Sequence, residues 1–269
     1  MIDICTVVFE PELDSLRRQA RSIDLYCRDI GINAIYVMVN DTSSVDPLWY
    51  GRFADRVHIY YQSQLGHDWS DNGWVAQQVL KMLGAGMSDN EWCMIVDAKT
   101  LFVRHIDPDR IFKQGRAATG TLPVFPVFEA SKTITEKLWD IELPAQLGPG
   151  GVPFLVEPDM VRDMITEIYR RTGQSFADFF QQQGRLTEFI LYSGYVWFRD
   201  GTFDRRYHYQ REIQPCNICH SEVNQFNTKL KTMNDPKTLT VSIHRNAWSQ
   251  LSALQQQLYY DLLASRGIL

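Results

Sequence analysis

The sequence predicts an α/β protein with a mostly parallel central sheet flanked by helices. Three observations predict it. Over the first hundred residues, short apolar runs of strand length alternate with a longer stretch whose apolar residues recur at helical spacing. The order strand, helix, strand, strand, helix, strand is the one that builds parallel sheets. One apolar run ends abruptly on a carboxylate, and in open α/β sheets ligands bind beyond the carboxyl ends of strands.

Each element has its own signal. Residues 3–10, "DICTVVFE", form a short apolar run that fits a buried strand. In 11–31, Leu13, Leu16, Ala20, Ile23, Tyr26 and Cys27 recur on one helical face, with Gly31 as the stop. Strands follow at 33–40 and 56–61, a helix at 71–86 opening near Asp71 or Asn72, and a strand at 91–98. The second half is less regular. It reads as an extended proline-marked segment at 121–130 and a glycine- and proline-rich loop at 145–154. A helix at 157–173 has Pro158 in its first turn and Gly173 at its end. Residues 186–198 read as a helix, continuous or broken at Gly194, before a late strand at 238–245 and an amphipathic closing helix at 246–267. The expected organisation is one domain, 1–269, with a nucleotide-binding front half at 1–105 and a substrate-shaping back half at 106–269.

Composition narrows the function. The chain has 269 residues, 45% of them hydrophobic, enough for one sizeable core. Its net charge of −5, without a basic stripe, argues against nucleic acid as a partner. The N-terminus lacks the basic start of a secretion signal, and no stretch is apolar for the roughly 20 residues a membrane span needs. A cytoplasmic protein is expected. Five cysteines in a chain this long read as reduced thiols rather than a disulfide framework.

The segment "WCMIVDAKTLFV" (92–103) carries the chemistry. Burying Asp97 unpaired would cost several kcal/mol, so it needs a ligand, a metal or a cation. An ion pair with an arginine such as Arg104 is the bland alternative. If the chain stays extended, Lys99 points to the same side as Asp97; the alternative is a solvent-facing lysine. "CMIVDAKTLFV" resembles the strand–Asp-x-Asp segment of GT-A-fold nucleotide-sugar glycosyltransferases, in a bacterial branch with a modified motif. "GWVAQQVLKM" (73–82), "GGVPFLVEPDMVRDMI" (150–165), "TEFILYSGYVWF" (187–198) and "SIHRNAW" (242–248) resemble further segments of that family in the same order.

The resemblance implies a GT-A-like fold and transfer of a hexosyl or related sugar from a nucleotide-sugar donor to a glycan or other hydroxyl acceptor. The implied setting is bacterial surface polysaccharide or glycan synthesis. It implies donor contacts at Thr6, Gln77, Lys81, Asp97, Lys99 and Gly151, and a divalent cation, manganese or magnesium, held by Asp97 and His244. Here Lys99 replaces the second aspartate. An ammonium repels a metal and attracts a diphosphate directly, so this departure puts the metal requirement in question. Glu188 opens an aromatic segment and is the candidate general base, although an acid at a helix start is also ordinary. For Gln77 and Lys81 the alternative is a solvated helix face. For His244 it is a structural histidine at a strand end.

Other features have plain readings. "CNICH" (216–220) matches the attachment signature of c-type haem and half of a zinc site, but two incidental loop thiols explain it as well. Tyr192, Tyr195, Trp197 and Phe198 either line an acceptor pocket or pack the core. Two rival functions are a nucleotide-sugar binding protein without turnover and a phosphatase of the haloacid dehalogenase type. The second needs an acid where Lys99 stands.

Overall fold

The computed structural model describes residues 1–40, 43–66, 72–150, 153–209 and 214–269. The first half contains β1 (Ile2–Val8), α1 (Leu13–Tyr26), β2 (Ile32–Val39), β3 (Val57–Tyr61), α2 (Gly73–Gly86), β4 (Cys93–Asp97) and β5 (Thr100–Phe102). Next come α3 (Pro108–Ile111), β6 (Phe112–Lys113), β7 (Arg116–Pro123), α4 (Glu129–Trp139), β8 (Gln146–Gly150) and β9 (Phe154–Val156). The chain closes with α5 (Pro158–Thr172), α6 (Phe176–Gln183), α7 (Glu188–Asp200), β10 (Tyr207–Tyr209), β11 (Gln214–Ile218), α8 (Phe226–Thr232), β12 (Thr238–Ile243), α9 (Arg245–Trp248) and α10 (Ala253–Ser265).

The central sheet has the order β3-β2-β1-β4-β9. Its first four strands are parallel and β9 runs antiparallel to β4, so the sheet is parallel-rich and flanked by helices, as expected. Its inner strands are mostly apolar because both faces are covered: every residue of β1 is buried. α2 lies close on β1 and β2. A Cβ on Gly84 would stand 2.6 Å from Cys5 Sγ and 2.8 Å from Met38 Cγ, so only glycine lets the helix approach this far. A second sheet joins β10, β7 and β6, with β8 on β7, and a third has the order β11-β12-β5.

The two ends of the central sheet differ chemically. At the amino ends, buried Asp3 accepts hydrogen bonds from Ala34 N (2.8 Å), Ser88 Oγ (2.6 Å) and Asn90 Nδ2 (2.8 Å), so its charge is met locally. The strand order reverses direction between β1 and β4, where Val7 is in register with Asp97. That crevice at the carboxyl ends is where this class of sheet binds ligands.

Several boundaries differ from the sequence reading. The α1 helix is shorter, with 3₁₀ turns at Glu10–Glu12 and Arg28–Ile30 on either side. The "AQLGPGGVPF" loop contains β8, which pairs with β7 and supplies backbone partners that a glycine- and proline-rich segment does not advertise. The α7 helix runs unbroken through Gly194, where a Cβ would stand 2.1 Å from Thr135 Cγ2 of α4. The glycine is there for a close helix crossing, not for a break. The closing segment is two helices, α9 and α10. Ser252 caps the second by accepting from Gln255 N. Asn72 caps α2 by accepting from Val75 N at 3.2 Å, while Asp71 lies outside the described residues.

Candidate active site

Asp97 ends β4, and the chain turns at once into β5 rather than staying extended. Gln19 of α1 holds that turn. Its side-chain amide donates to the carbonyls of both Asp97 and Thr100. The turn folds Lys99 back over the strand end, and its Nζ donates to Asp97 Oδ2 at 2.8 Å. Lys99 therefore faces the Asp97 carboxylate, with its side chain only 19% exposed. Arg104 is not the partner of Asp97. It donates to the carbonyls of Thr238, Met233 and Asp235.

A second lysine approaches from below. Lys81 of α2 places Nζ 2.7 Å from Asp97 Oδ1 and 2.9 Å from Glu188 Oε1. The four charges form a chain Lys99–Asp97–Lys81–Glu188 of zero net charge. Burial works to raise the Asp97 pKa, but Lys81 and Lys99 outweigh it and hold the carboxyl well below the usual range. Burial likewise works against the Lys81 charge, and Asp97 and Glu188 overcome it and raise its pKa.

Two cavities open at this end of the fold. One, of about 410 Å³, lies beyond the carboxyl ends of β1 and β2 and the start of α2; Phe9, Asn40, Gly73, Gln77, Lys99 and His244 line it. The other, of about 240 Å³, lies between the start of α1, the edge formed by β5 and β12, and α10.

The expected site residues divide accordingly. Gln77, Lys99 and His244 line the larger cavity. Thr6, Lys81, Asp97 and Glu188 line neither cavity. Thr6 is fully buried within β1, and Lys81 and Glu188 are buried at 4% and 3% exposure. Glu188 sits behind Lys81, and its Oε2 has no hydrogen-bond partner among the described residues. It lies outside the lining of both cavities, behind Lys81, rather than on a surface they share. Lys81 neutralises two carboxylates instead of reaching a donor. Gly151 lies outside the described residues.

His244 is the N-cap of α9, with Nδ1 accepting from Asn246 N at 3.3 Å. Burial first, and then the Lys99 charge, lower its pKa, which keeps the imidazole neutral at neutral pH. A divalent cation needs ligand oxygens free of competing cations. Both carboxylate oxygens of Asp97 face ammonium groups. Among the described residues no cluster of three or more His, Cys, Asp or Glu could hold an ion. These residues do not fit the cation that the resemblance implies.

Sequence reasoning missed Glu12. It ends the β1–α1 connection and is about nine-tenths buried, and its Oε2 has no hydrogen-bond partner among the described residues. It lines both cavities. In sequence it looks like an ordinary acid at a helix start. The aromatics of the 187–198 segment are core: Tyr192 and Tyr195 are buried, Trp197 packs on Phe203, and Phe198 stacks on Trp139. In "CNICH", Cys216 is buried and Cys219 exposed, and both are free thiols.

The chain matches the profile described as "Family of unknown function (DUF6492)" over residues 20–248, and it belongs to that family. No curated protein sequence matches it significantly. Among solved structures it is similar to the galactosyltransferase LgtC in complex with donor and acceptor sugar analogs. The TM-score is 0.52 at 10% identity, over 99% of this chain and 100% of that one. An active-site mutant of LgtC gives a TM-score of 0.50 at 10% identity, over 98% of this chain and 95% of that one. The mixed α/β architecture with its parallel-rich sheet therefore matches GT-A glycosyltransferase structures. No helix among the described residues is long and apolar enough to cross a membrane.

Proposed function

We propose that this chain transfers a sugar from a nucleotide-diphosphate donor to an acceptor hydroxyl. The observation that carries the reading is the larger cavity at the carboxyl edge of β1 and β2, with the Lys99 ammonium on its wall. The GT-A-like fold supports it. In this reading Asp97 ends its strand to aim Lys99, and Lys99 attracts the diphosphate. At about 4 Å that attraction is roughly 4 kcal/mol per phosphate charge at an effective dielectric of 20, before desolvation and the opposing charge of Asp97 are subtracted. Gln77 and the neutral His244 offer hydrogen bonds to the same ligand. One domain, 1–269, belongs to this proposal, with residues of both its halves, 1–105 and 106–269, lining each cavity. Binding without turnover is the second reading. It is favoured by the burial of Glu188, which leaves the expected base out of reach.

The test is calorimetry of uridine and guanosine diphosphates and their sugar conjugates, with EDTA and with manganese. Expected is binding that survives EDTA in the wild type. Affinity should fall at least tenfold in Lys99→Met, and binding should become manganese-dependent in Lys99→Asp. Wild-type binding abolished by EDTA, with Lys99→Met unchanged, would show that the lysine does not meet the phosphates. Binding with no release of diphosphate under any condition would favour the second reading.

A further inference from the structure

The smaller cavity adjoins the donor site described above and shares Lys99 with it. Its walls combine cations, aromatic rings and a carboxylate: Arg18 of α1, Trp248 of α9, Tyr259 and Tyr260 of α10, and Glu12. The Arg18 guanidinium stands 5.9 Å from the Tyr260 ring centre, and the Arg245 guanidinium 5.2 Å from that of Phe9. Three charged residues, Glu12, Lys99 and Arg245, line both cavities and form the boundary between them. Of these, Glu12 has a buried carboxylate oxygen with no protein partner.

We propose that the smaller cavity is the acceptor subsite, that it takes a single hydroxylated sugar ring, and that Glu12 accepts the proton of the attacking hydroxyl. This rests on the transferase reading, because a donor must occupy the adjoining cavity. About 240 Å³ admits one ring rather than a chain. Aromatic faces pack on the apolar side of a sugar, while Arg18, Ser15 and Glu12 exchange hydrogen bonds with its hydroxyls. In the transfer, the acceptor O–H proton passes to the Glu12 carboxylate. The oxygen forms a bond to the anomeric carbon of the donor sugar. The bond from that carbon to the diphosphate breaks, and its electron pair leaves with the nucleoside diphosphate. Lys99, on the shared wall, is placed to meet the charge that develops there. Burial, opposed by Lys99, raises the Glu12 pKa, in the direction that suits a proton acceptor.

The experiment has two arms. The first is saturation-transfer NMR of methyl glucoside, galactoside and mannoside on the wild type and on Arg18→Ala and Tyr260→Ala. This arm needs no donor. Expected is binding of at least one glycoside by the wild type that is lost in both variants. No glycoside bound, or binding equal in all three proteins, overturns the acceptor subsite. The second arm measures release of nucleoside diphosphate from UDP-glucose, UDP-galactose and GDP-mannose with the bound glycoside. Glu12→Gln is expected to bind uridine or guanosine diphosphate within threefold of wild type and to lower kcat by about 10²–10⁴. Arg18→Ala is expected to raise the acceptor KM and leave the donor KM unchanged. Wild-type turnover by Glu12→Gln overturns its role as proton acceptor. Failure of the wild type to bind any nucleoside diphosphate sinks the donor reading instead, and the first arm still decides the fate of the cavity.

Discussion

Replacing Lys81 with methionine isolates the energetics of the buried charge chain. The ammonium of Lys81 is 2.7 Å from Asp97 Oδ1 and 2.9 Å from Glu188 Oε1, and its side chain is 5% exposed. Methionine keeps most of the volume and the apolar stem, so packing changes little. Electrostatics changes a great deal. Glu188 loses its only ion-pair partner among the described residues, and two carboxylates about 5 Å apart then repel by about 3 kcal/mol at an effective dielectric of 20. Breaking a buried pair by removing one member typically costs about 3–5 kcal/mol. We expect a loss in that range, a large share of the roughly 5–15 kcal/mol that stabilises an ordinary domain. Urea unfolding followed by circular dichroism measures it. The double variant Lys81→Met/Glu188→Gln should recover part of the loss, because glutamine removes the stranded charge and the repulsion together. A coupling of about 1–3 kcal/mol between the two sites is expected. A Lys81→Met protein within about 1 kcal/mol of wild type, or strictly additive losses in the double variant, would refute the reasoning.

Two further outcomes follow from the same structure. Gly194→Ala should destabilise by about 1–3 kcal/mol, because its Cβ would stand 2.1 Å from Thr135 Cγ2 and 3.2 Å from Trp139 Cδ1; a thermal midpoint equal to wild type would show that α4 and α7 can separate freely. The folded protein holds the Asp97 pKa below its ordinary 3.8, so the stability gained from its ionised form is fully present above that value and is lost as pH falls through the folded pKa. The stability gap between wild type and Asp97→Asn should therefore narrow below about pH 4, by up to about 1.4 kcal/mol per pH unit; a gap constant down to pH 2 would show that the lysines do not hold the carboxylate ionised.

Periodicity alone was sufficient for the first half of the fold. β1, β2 and β4 are almost wholly buried and read as apolar runs, and β3, only half-buried, still reads as one. α1 shows its buried stripe directly, and α5 is bounded by Pro158 and Gly173 as its end signals require. Local signals failed where a neighbour decided the outcome. Gly194 can end a helix or admit a crossing helix, and only the position of Thr135 in α4 separates the two. β8 is a strand because β7 lies beside it, not because Gly148 and Pro149 favour one.

The candidate site divides along the same line. Asp97 at a strand end was visible in sequence because a carboxylate after "CMIV" needs a partner wherever it lies. Which partner it takes is a long-range fact. Lys81 reaches it from α2 and pairs in turn with Glu188, 107 positions further along the chain, and Gln19 of α1 bends the turn that returns Lys99. Glu12 illustrates the other limit. Its sequence neighbours make it an ordinary helix-start acid, and only the walls brought up by β12, α9 and α10 leave its buried oxygen unpartnered between two cavities. The sequence by itself determined the main strands and helices of the first half and the need for a partner at Asp97, because these follow from burial along the chain. The tertiary structure alone decided which charges cancel each other and which remain to meet a ligand, because those energies depend on distances between residues far apart in sequence.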